Sequence, residues 1–459
     1  MKFLNEDHIL SNGVGVYVKL RRDSLAILGS ALDSVDPKQA IYNKVKVEGN
    51  KLTVEGKRYD LNRFRRIYLV GGGKAGGPMA EAIESLLEER LTGGVVNILQ
   101  GTEYKYHVKR VKLVGASHPV PNEAGAGGVA EMLKIVTGLT STDLVIVIIS
   151  GGGSALMPSP AEGITLDDLQ TITGKLLKSG ATINDLNTVR KHLDSFKGGQ
   201  LAKRCQPADV LSLILSDVVG DPLDTIASGP TTPDSTTWRD AEDVLKRYNT
   251  WDSAPNPILK RIEKGLTGEL PDTPKTDDTA FSKTHNVLIA NNSYAAEAAS
   301  KKATELGYSS MILSTMVEGE ARQVGSVYAG IAREIVNKGR PTKVPAAIII
   351  GGETTVDVKG SGKGGRNQEV ALGAAKKIAG TQCLIASLAT DGLDGPTDSA
   401  GAIVDGSTLS RVSKINLTID VSLKNNDAYH LFEKIGDHLM TGPTGTNVND
   451  LALILVAGK

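Results

Sequence analysis

The stretch RRIYLVGGGKAGGPMAEAIESLLEER, residues 65–90, carries the pattern on which the fold reading rests. Its apolar run RRIYLV (65–70) predicts a buried strand. A glycine cluster follows, and PMAEAIESLLEER (78–90) predicts a helix with Pro78 in its first turn. Strand, glycine turn and helix in that order make half of a βαβ unit, whose parallel strands are covered on both faces and read as continuous apolar runs. The same pattern recurs downstream. GVVNILQ (94–100), VKLVGAS (111–117), LVIVIIS (144–150) and VLSLILS (210–216) predict further strands, and helices are expected at 123–136, from Thr165 to about Lys178, and at 185–196. Thr165 and Asp168 have the spacing of a capping box.

LTGELPDTPKTDDTAFSKT (266–284) is rich in Pro, Thr and Asp and lacks apolar periodicity, so it reads as a linker. Beyond it NVLIA (286–290), MILS (311–314), AAIIIGG (346–352), TTVDV (354–358), CLIASLAT (383–390) and LALILVA (451–457) predict strands, with helices from Ser293, near Gly319 and from Asn367. The expected fold is α/β, with a larger Rossmann-like parallel-sheet domain over residues 1–265 and a smaller α/β domain over 285–459. A long helix expected around residues 23–44 has no assigned packing partner.

Composition narrows the function classes. The 459 residues suffice for two domains, and 40% hydrophobic against 23% charged residues permits an ordinary packed core. Fifty-two basic residues balance fifty-two acidic ones, so there is no global attraction to nucleic acid or to an anionic membrane. Cys205 and Cys383 are the only cysteines, which excludes a disulfide scaffold and a cysteine-rich zinc site. No apolar run approaches the ~20 residues of a membrane span. The opening MKFLNEDHIL places Glu6 and Asp7 where a secretory signal needs apolar residues, so a soluble, cytoplasmic chain is expected. Homo-oligomer formation stays open.

The 51 glycines are clustered at the carboxyl ends of expected strands, where α/β sheets bind ligands. VGGGKAGG (70–77), SGGGSAL (150–156), LSDVVGDPLDTIASGPTTPD (215–234), GGETTVDVKGSGKGGRNQE (351–369) and ATDGLDGPTDSAG (389–401) are the loops concerned. Glycine lets backbone amides approach an anion, so several such loops point to a polyanion, most simply a nucleoside triphosphate. Gly71, Gly73 and Gly76 satisfy G-x-G-x-x-G, but the next strand ends in Gln100 with no carboxylate before Glu103, where a dinucleotide fold wants a ribose-binding acid. A Walker loop fails too, with Tyr68 in place of its first glycine and Ala75 in place of its hydroxyl.

Lys74, inside a glycine cluster, suits a phosphate better than core packing; a solvated loop lysine is the plain alternative. Arg366 opens a helix after KGSGKGG and can clamp a carboxylate or phosphate, or simply be a surface arginine. Asp217 and Asp394 follow strands and are the carboxylates expected to meet Mg²⁺ or substrate, whereas Asp221, Asp224, Asp391 and Asp398 suit turns. His118 ends a strand before Pro119 as a candidate substrate contact; His192, near Arg190, reads as a helix-surface or interface residue. SGGGSA is not a hydrolase nucleophile elbow.

Eight ordered stretches together, among them VGGGKAGGPMAEAIE, SHPVPNEAG, ISGGGSALMPSP, INDLNTVRKHLDSFKGGQLA, GGETTVDVKGSGKGGRNQE and TGPTGTNVNDLALIL, resemble the ATP-dependent glycerate 2-kinase family with its C-terminal MOFRL domain. The resemblance runs from about residue 20 to the end and implies two domains with an active site in the cleft between them. It implies transfer of the γ-phosphoryl group of ATP to the 2-hydroxyl of D-glycerate, with a divalent metal, here Mg²⁺. Lys74 and Arg366 fall on the family's catalytic cations, with Asp217 as the further catalytic carboxylate. Phosphate contacts are expected from Gly72, Gly73, Gly151, Gly152, Gly153, Ser154 and Asn292; substrate contacts from Ser117, His118 and Arg366; metal contacts from Asp217 and Asp394. Some members are labelled hydroxypyruvate reductases, so an NAD(P)-dependent reductase is the competing reading, followed by a non-catalytic nucleotide-binding protein.

Overall fold

The run RRIYLV forms strand β1 (Arg66–Gly72), which pairs in parallel with β2 (Gly93–Leu99) on one side and β4 (Asp143–Ile149) on the other. Parallel pairing continues from β2 to β3 (Val111–Ala116) and from β4 to β5 (Asp209–Leu215). With β6 (Thr284–Ala290) at the edge, the strand order is β3-β2-β1-β4-β5-β6. The order reverses between β1 and β4, and doubly wound sheets bind ligands beyond the strand ends at that point. All seven residues of β4 are buried, as a central strand covered on both faces requires.

This computed structural model describes residues 2–458. The chain divides into two compact units, one made of Ala40–Ile289 and the other of the residues up to Gln39 with those from Ala290 onward. We call the first the inserted unit and the second the split unit. This differs from the expected boundary at 266–284. That segment is no linker but part of the inserted unit: the Thr273 hydroxyl donates to Asp234 (2.9 Å) and the Asp234 amide donates to the carbonyl of Pro274 (3.0 Å). NVLIA, expected in the second domain, is β6 of the first sheet. The long N-terminal helix is broken before Pro37, giving α1 (Val16–Ser34) and a second helix, Pro37–Lys44.

In the inserted unit α2 (Gly76–Leu87) follows β1 and α3 (Glu123–Ile135) follows β3. After β4 come α4 (Leu166–Lys178) and α5 (Ile183–His192). The Thr165–Asp168 capping box is formed: the Thr165 hydroxyl accepts from the Asp168 amide (3.1 Å) and the Asp168 carboxylate accepts from the Thr165 amide (2.9 Å). Leu169, Ile172 and Leu176 of α4 pack with Leu186 and Val189 of α5 and with Trp238 in a separate helical core. The sheet core gathers Val70, Val145, Val147, Phe196 and Leu201.

The split unit contains α6 (Asn292–Glu305), β7 (Ser309–Glu320), α7 (Ala321–Lys338), β8 (Ala346–Thr355), α8 (Arg366–Ala375), β9 (Cys383–Ala389), β10 (Gly401–Asp405), β11 (His438–Leu439) and β12 (Asp450–Val456). Their order is β7-β8-β12-β9-β10-β11, with only the first pair parallel. AAIIIGG and TTVDV are one continuous strand. Arg21 of α1, fully buried, binds Asp405 (Nε 2.8 Å) and Asp437 (Nη1 2.7 Å) and so fastens the first residues of the chain to this unit. Among the described residues no helix is long and apolar enough to cross a membrane.

Candidate active site

At the switch point of the inserted unit the loop after β1 lies against the loop after β4. Gly73 has φ +137°, and a Cβ there would stand 2.2 Å from the Ser150 hydroxyl oxygen, so only glycine lets the two loops meet. The close approach is fixed by hydrogen bonds. The Gly73 amide donates to the Asn97 carbonyl (3.1 Å), the Lys74 amide to the Gly151 carbonyl (2.8 Å) and the Ala75 amide to the Ser150 hydroxyl (3.0 Å). Gly73 therefore has no amide left for a phosphate, and Gly72 is a residue of β1. Both glycines, expected as phosphate contacts, serve strand and loop packing instead.

The turn after β4 is different. The amides of Gly151 and Gly152 donate to no group among the described residues. Gly152 adopts φ +79°, and a Cβ there would sit 3.1 Å from Lys74 Cγ and 3.1 Å from His118 Cδ2. A Cβ on Gly151 would sit 1.9 Å from Asp217 Oδ2. Two open amides are thus flanked by Lys74, His118 and Asp217: the amides and the Lys74 cation suit an anion, and the Asp217 carboxylate would meet that anion through a cation. Burial, and then the Lys74 cation, hold the His118 imidazole below its ordinary pKa, so it is neutral at pH 7. Gly153 is packed against Ala227 (2.6 Å from its notional Cβ to the Ala227 Cβ), and Ser154 shares a hydrogen bond with Ser228 (2.9 Å), which donates to Asn187 (2.9 Å). The Ser117 amide donates to Asn122 (3.2 Å).

Close to this turn, sequence reasoning missed three charged side chains, of which Asp194 and Lys197 are buried and Arg190 half-buried. Lys197 donates to Asp194 (2.6 Å) and to the Met157 carbonyl (2.8 Å), and Arg190 lines the same cavity. The signal was present in RKHLDSFK (190–197), where four basic side chains crowd eight positions of a segment expected to pack.

In the split unit Arg366 opens α8, as expected from its position after KGSGKGG. Its Nε and Nη2 donate to the two carboxylate oxygens of Asp450 (2.6 and 3.0 Å), and Nη1 pairs with Glu353 (2.9 Å). The guanidinium borders a cavity of about 580 Å³ lined also by Thr354, Gly365 and Asn426. Burial pushes the Asp450 carboxyl up to about 7, against the opposing pull of Arg366 and Asn367.

Asp394, expected as a metal ligand, corrects that reading. It is buried, Oδ1 accepts from the Asn367 amide (3.0 Å) and side chain (3.2 Å), and Oδ2 accepts from the Gln368 amide (2.9 Å) and side chain (3.1 Å). With its lone pairs occupied it secures the start of α8. Asn292, expected at a phosphate, likewise has both amide hydrogens committed, to the carbonyls of Val448 (2.8 Å) and Asp450 (2.9 Å). His192 is buried, not on the helix surface: it packs on Trp238 with ring centroids 4.7 Å apart and meets Asp272 at 2.9 Å.

Magnesium, implied by the family resemblance, takes one or two carboxylates and completes its shell with phosphate oxygens and waters. No group of three or more His, Cys, Asp or Glu suited to a metal occurs among the described residues. Asp217, whose carboxylate lies against Gly151 beside the open amides, fits the sparser donor set.

Comparison with known proteins places the chain in a family. Residues 23–263 match a domain of unknown function (DUF4147), and residues 346–450 match the MOFRL family. The chain is 43% identical to the Glycerate 2-kinase of Pyrococcus horikoshii over 97% of this chain and 99% of that protein. It is 38% identical to a Putative hydroxypyruvate reductase of Agrobacterium vitis, covering 97% of this chain and 95% of that one. A crystal structure of Glycerate kinase from Thermotoga maritima superposes with a TM-score of 0.86 at 40% identity, covering 96% of this chain and 100% of that one. From the matched domains, the extent of these likenesses and the shared fold, the chain belongs to the glycerate 2-kinase family.

Proposed function

We propose that this protein transfers the γ-phosphoryl group of ATP to the 2-hydroxyl of D-glycerate, giving 2-phosphoglycerate and ADP. The observation that carries the reading is the pair of open amides at Gly151 and Gly152, set at the sheet's switch point between Lys74 and Asp217. Phosphoryl transfer needs little covalent help from a protein; it depends on positioning and on charge stabilisation of the equatorial oxygens. The two amides and Lys74 supply that charge at the inserted unit; on the split unit the Arg366 guanidinium, held in orientation by Asp450 and Glu353, is the second cation this reading assigns to catalysis. Asp217 would provide the carboxylate for magnesium, which when bound would offset the charge of the phosphates. His118, neutral at pH 7, offers a ring nitrogen to the acceptor hydroxyl.

Hydride transfer to or from a nicotinamide finds no comparable support: β2 ends at Leu99 and is followed by Gln100, with no acid for a ribose. The test is NMR identification of the product formed from D-glycerate and Mg-ATP, run beside NADH absorbance with hydroxypyruvate. Appearance of 2-phosphoglycerate with matching ADP supports the kinase; NADH consumption without ADP formation replaces it with the reductase.

A further inference from the structure

Helix α5 carries a cation that the reaction described above leaves unused. Arg190 lines a cavity of about 200 Å³ bounded by α4, α5 and the segments that follow β3 and β4. Leu169, Leu177 and Pro158 give it apolar walls, while Ser154 and Thr173 contribute hydroxyls. Lys197 also borders it, but its charge is spent. Asp194 Oδ2 accepts from Lys197 Nζ (2.6 Å) and the Ser159 amide (2.9 Å), and Oδ1 accepts from the amides of Phe196 (2.8 Å) and Lys197 (3.1 Å). That pair is neutral and its carboxylate is saturated.

Arg190 makes no side-chain hydrogen bond and no ion pair with any described residue. Burial lowers its pKa, with only the nearby Asp194 charge opposing. A half-buried guanidinium with no partner in a cavity wall is open to an anion, whose charge it can match. The cavity therefore holds one unmatched positive charge, five N–H donors in a planar fork and an apolar wall.

We propose that Arg190 binds the carboxylate of the acceptor, a small hydroxy acid, in this cavity. The identity of the acid rests on the glycerate kinase reading; the anion site does not. One surplus charge matches a monocarboxylate, whereas a triphosphate brings several charges that Arg190 alone leaves unbalanced. The volume suits a three-carbon acid. Ser154 lies in the cavity wall and in the short helix Gly153–Leu156 that directly follows Gly151 and Gly152, so the cavity adjoins the turn that carries the open amides. Arg190 is thus the group that separates glycerate from glycerol, which carries the same hydroxyls without the carboxylate.

The test combines calorimetric titration with D-glycerate, alone and with ADP present, and steady-state kinetics of Arg190→Met and Arg190→Lys. Loss of a bidentate, charge-assisted contact should raise the glycerate Kd and KM by about 100-fold or more in Arg190→Met, with a smaller loss in Arg190→Lys. The KM for ATP should stay within about threefold, and Tm should not fall, because the removed charge has no partner to leave behind. Gly174→Leu gives a second route: a Cβ there meets nothing within 4 Å, so the fold is kept while the cavity narrows, and glycerate binding should weaken with Arg190 intact. Unchanged glycerate affinity in Arg190→Met, or a loss confined to ATP, overturns the proposal. Arg190-dependent glycerate binding without ADP release would instead sink the kinase reading and leave this site standing.

Discussion

Gly151→Ala is the sharpest probe of the site because it displaces one carboxylate without straining the backbone. Gly151 is absent from the residues with positive φ, so alanine meets no conformational penalty there. The three nearest atoms to its new Cβ all belong to Asp217: Oδ2 at 1.9 Å, Cγ at 2.5 Å and Oδ1 at 3.1 Å. Ordinary contact begins near 3.4 Å, so the carboxylate must retreat by about 1.5 Å. Asp217 is half-buried and can swing outward, which keeps the stability change within about 1 kcal/mol. A reacting group misplaced by about 1 Å can cost roughly 100-fold in rate, so kcat for glycerate-dependent ADP release should fall by about that factor. The assay pairs a coupled ADP measurement with a thermal melt. A variant with native Tm and a kcat within about threefold of wild type would refute the role of Asp217; a large fall in Tm would refute the claim that only this side chain yields.

Other substitutions address other parts of the molecule. Lys74→Ala and Arg366→Ala should each lower kcat by at least ~100-fold with the far-ultraviolet circular dichroism unchanged, as for charge stabilisers of a transition state. Arg21→Met leaves Asp405 buried without its cation and Asp437 with Arg411 alone, and should cost about 3 kcal/mol, measured by urea unfolding. Asp143 is held at a pKa of about 2 by Arg66 first and by Thr140, below its unfolded value, so its contribution of about 2 kcal/mol is present above about pH 4 and is lost as pH falls toward 2. Asp143→Asn should therefore be less stable than wild type at pH 7 and equal to it near pH 2. Asp450 shows the opposite sign: its folded pKa of about 7 exceeds the unfolded value, so its stabilising share is full below about pH 4 and is lost as pH climbs to 7. Asp450→Asn should flatten the slope of Tm against pH between 5 and 7.

The parallel sheet was legible because a strand covered on both faces must be apolar throughout, and each such run stops at a glycine where the next element turns away. Strand direction left no such trace in the split unit. β8 and β12 are as apolar as β4, yet they run antiparallel, since burial fixes composition without fixing polarity. β6 was placed in the wrong domain for the same reason, its sequence being indifferent to which sheet it completes. Lys74 and Asp217 were singled out from their position at strand ends, and both lie beside the Gly151–Gly152 turn. Asp394 was misread because a carboxylate that caps a helix and one that holds a metal both follow strands in glycine-rich loops. Arg190 escaped notice because a helical arginine is ordinary; only the surrounding hydrogen bonds show that its neighbours' charges are already cancelled.

The route of the chain, which leaves one unit at Gln39 and returns to it at Ala290, has a consequence for biosynthesis. Arg21 of α1 precedes Asp405 and Asp437, the carboxylates that receive it, by more than three hundred residues. Everything the 40–289 segment needs to fold is translated in the interval, so it can mature first while the amphipathic α1 waits exposed. The two parts of the split unit can therefore join only after the whole intervening segment has been made.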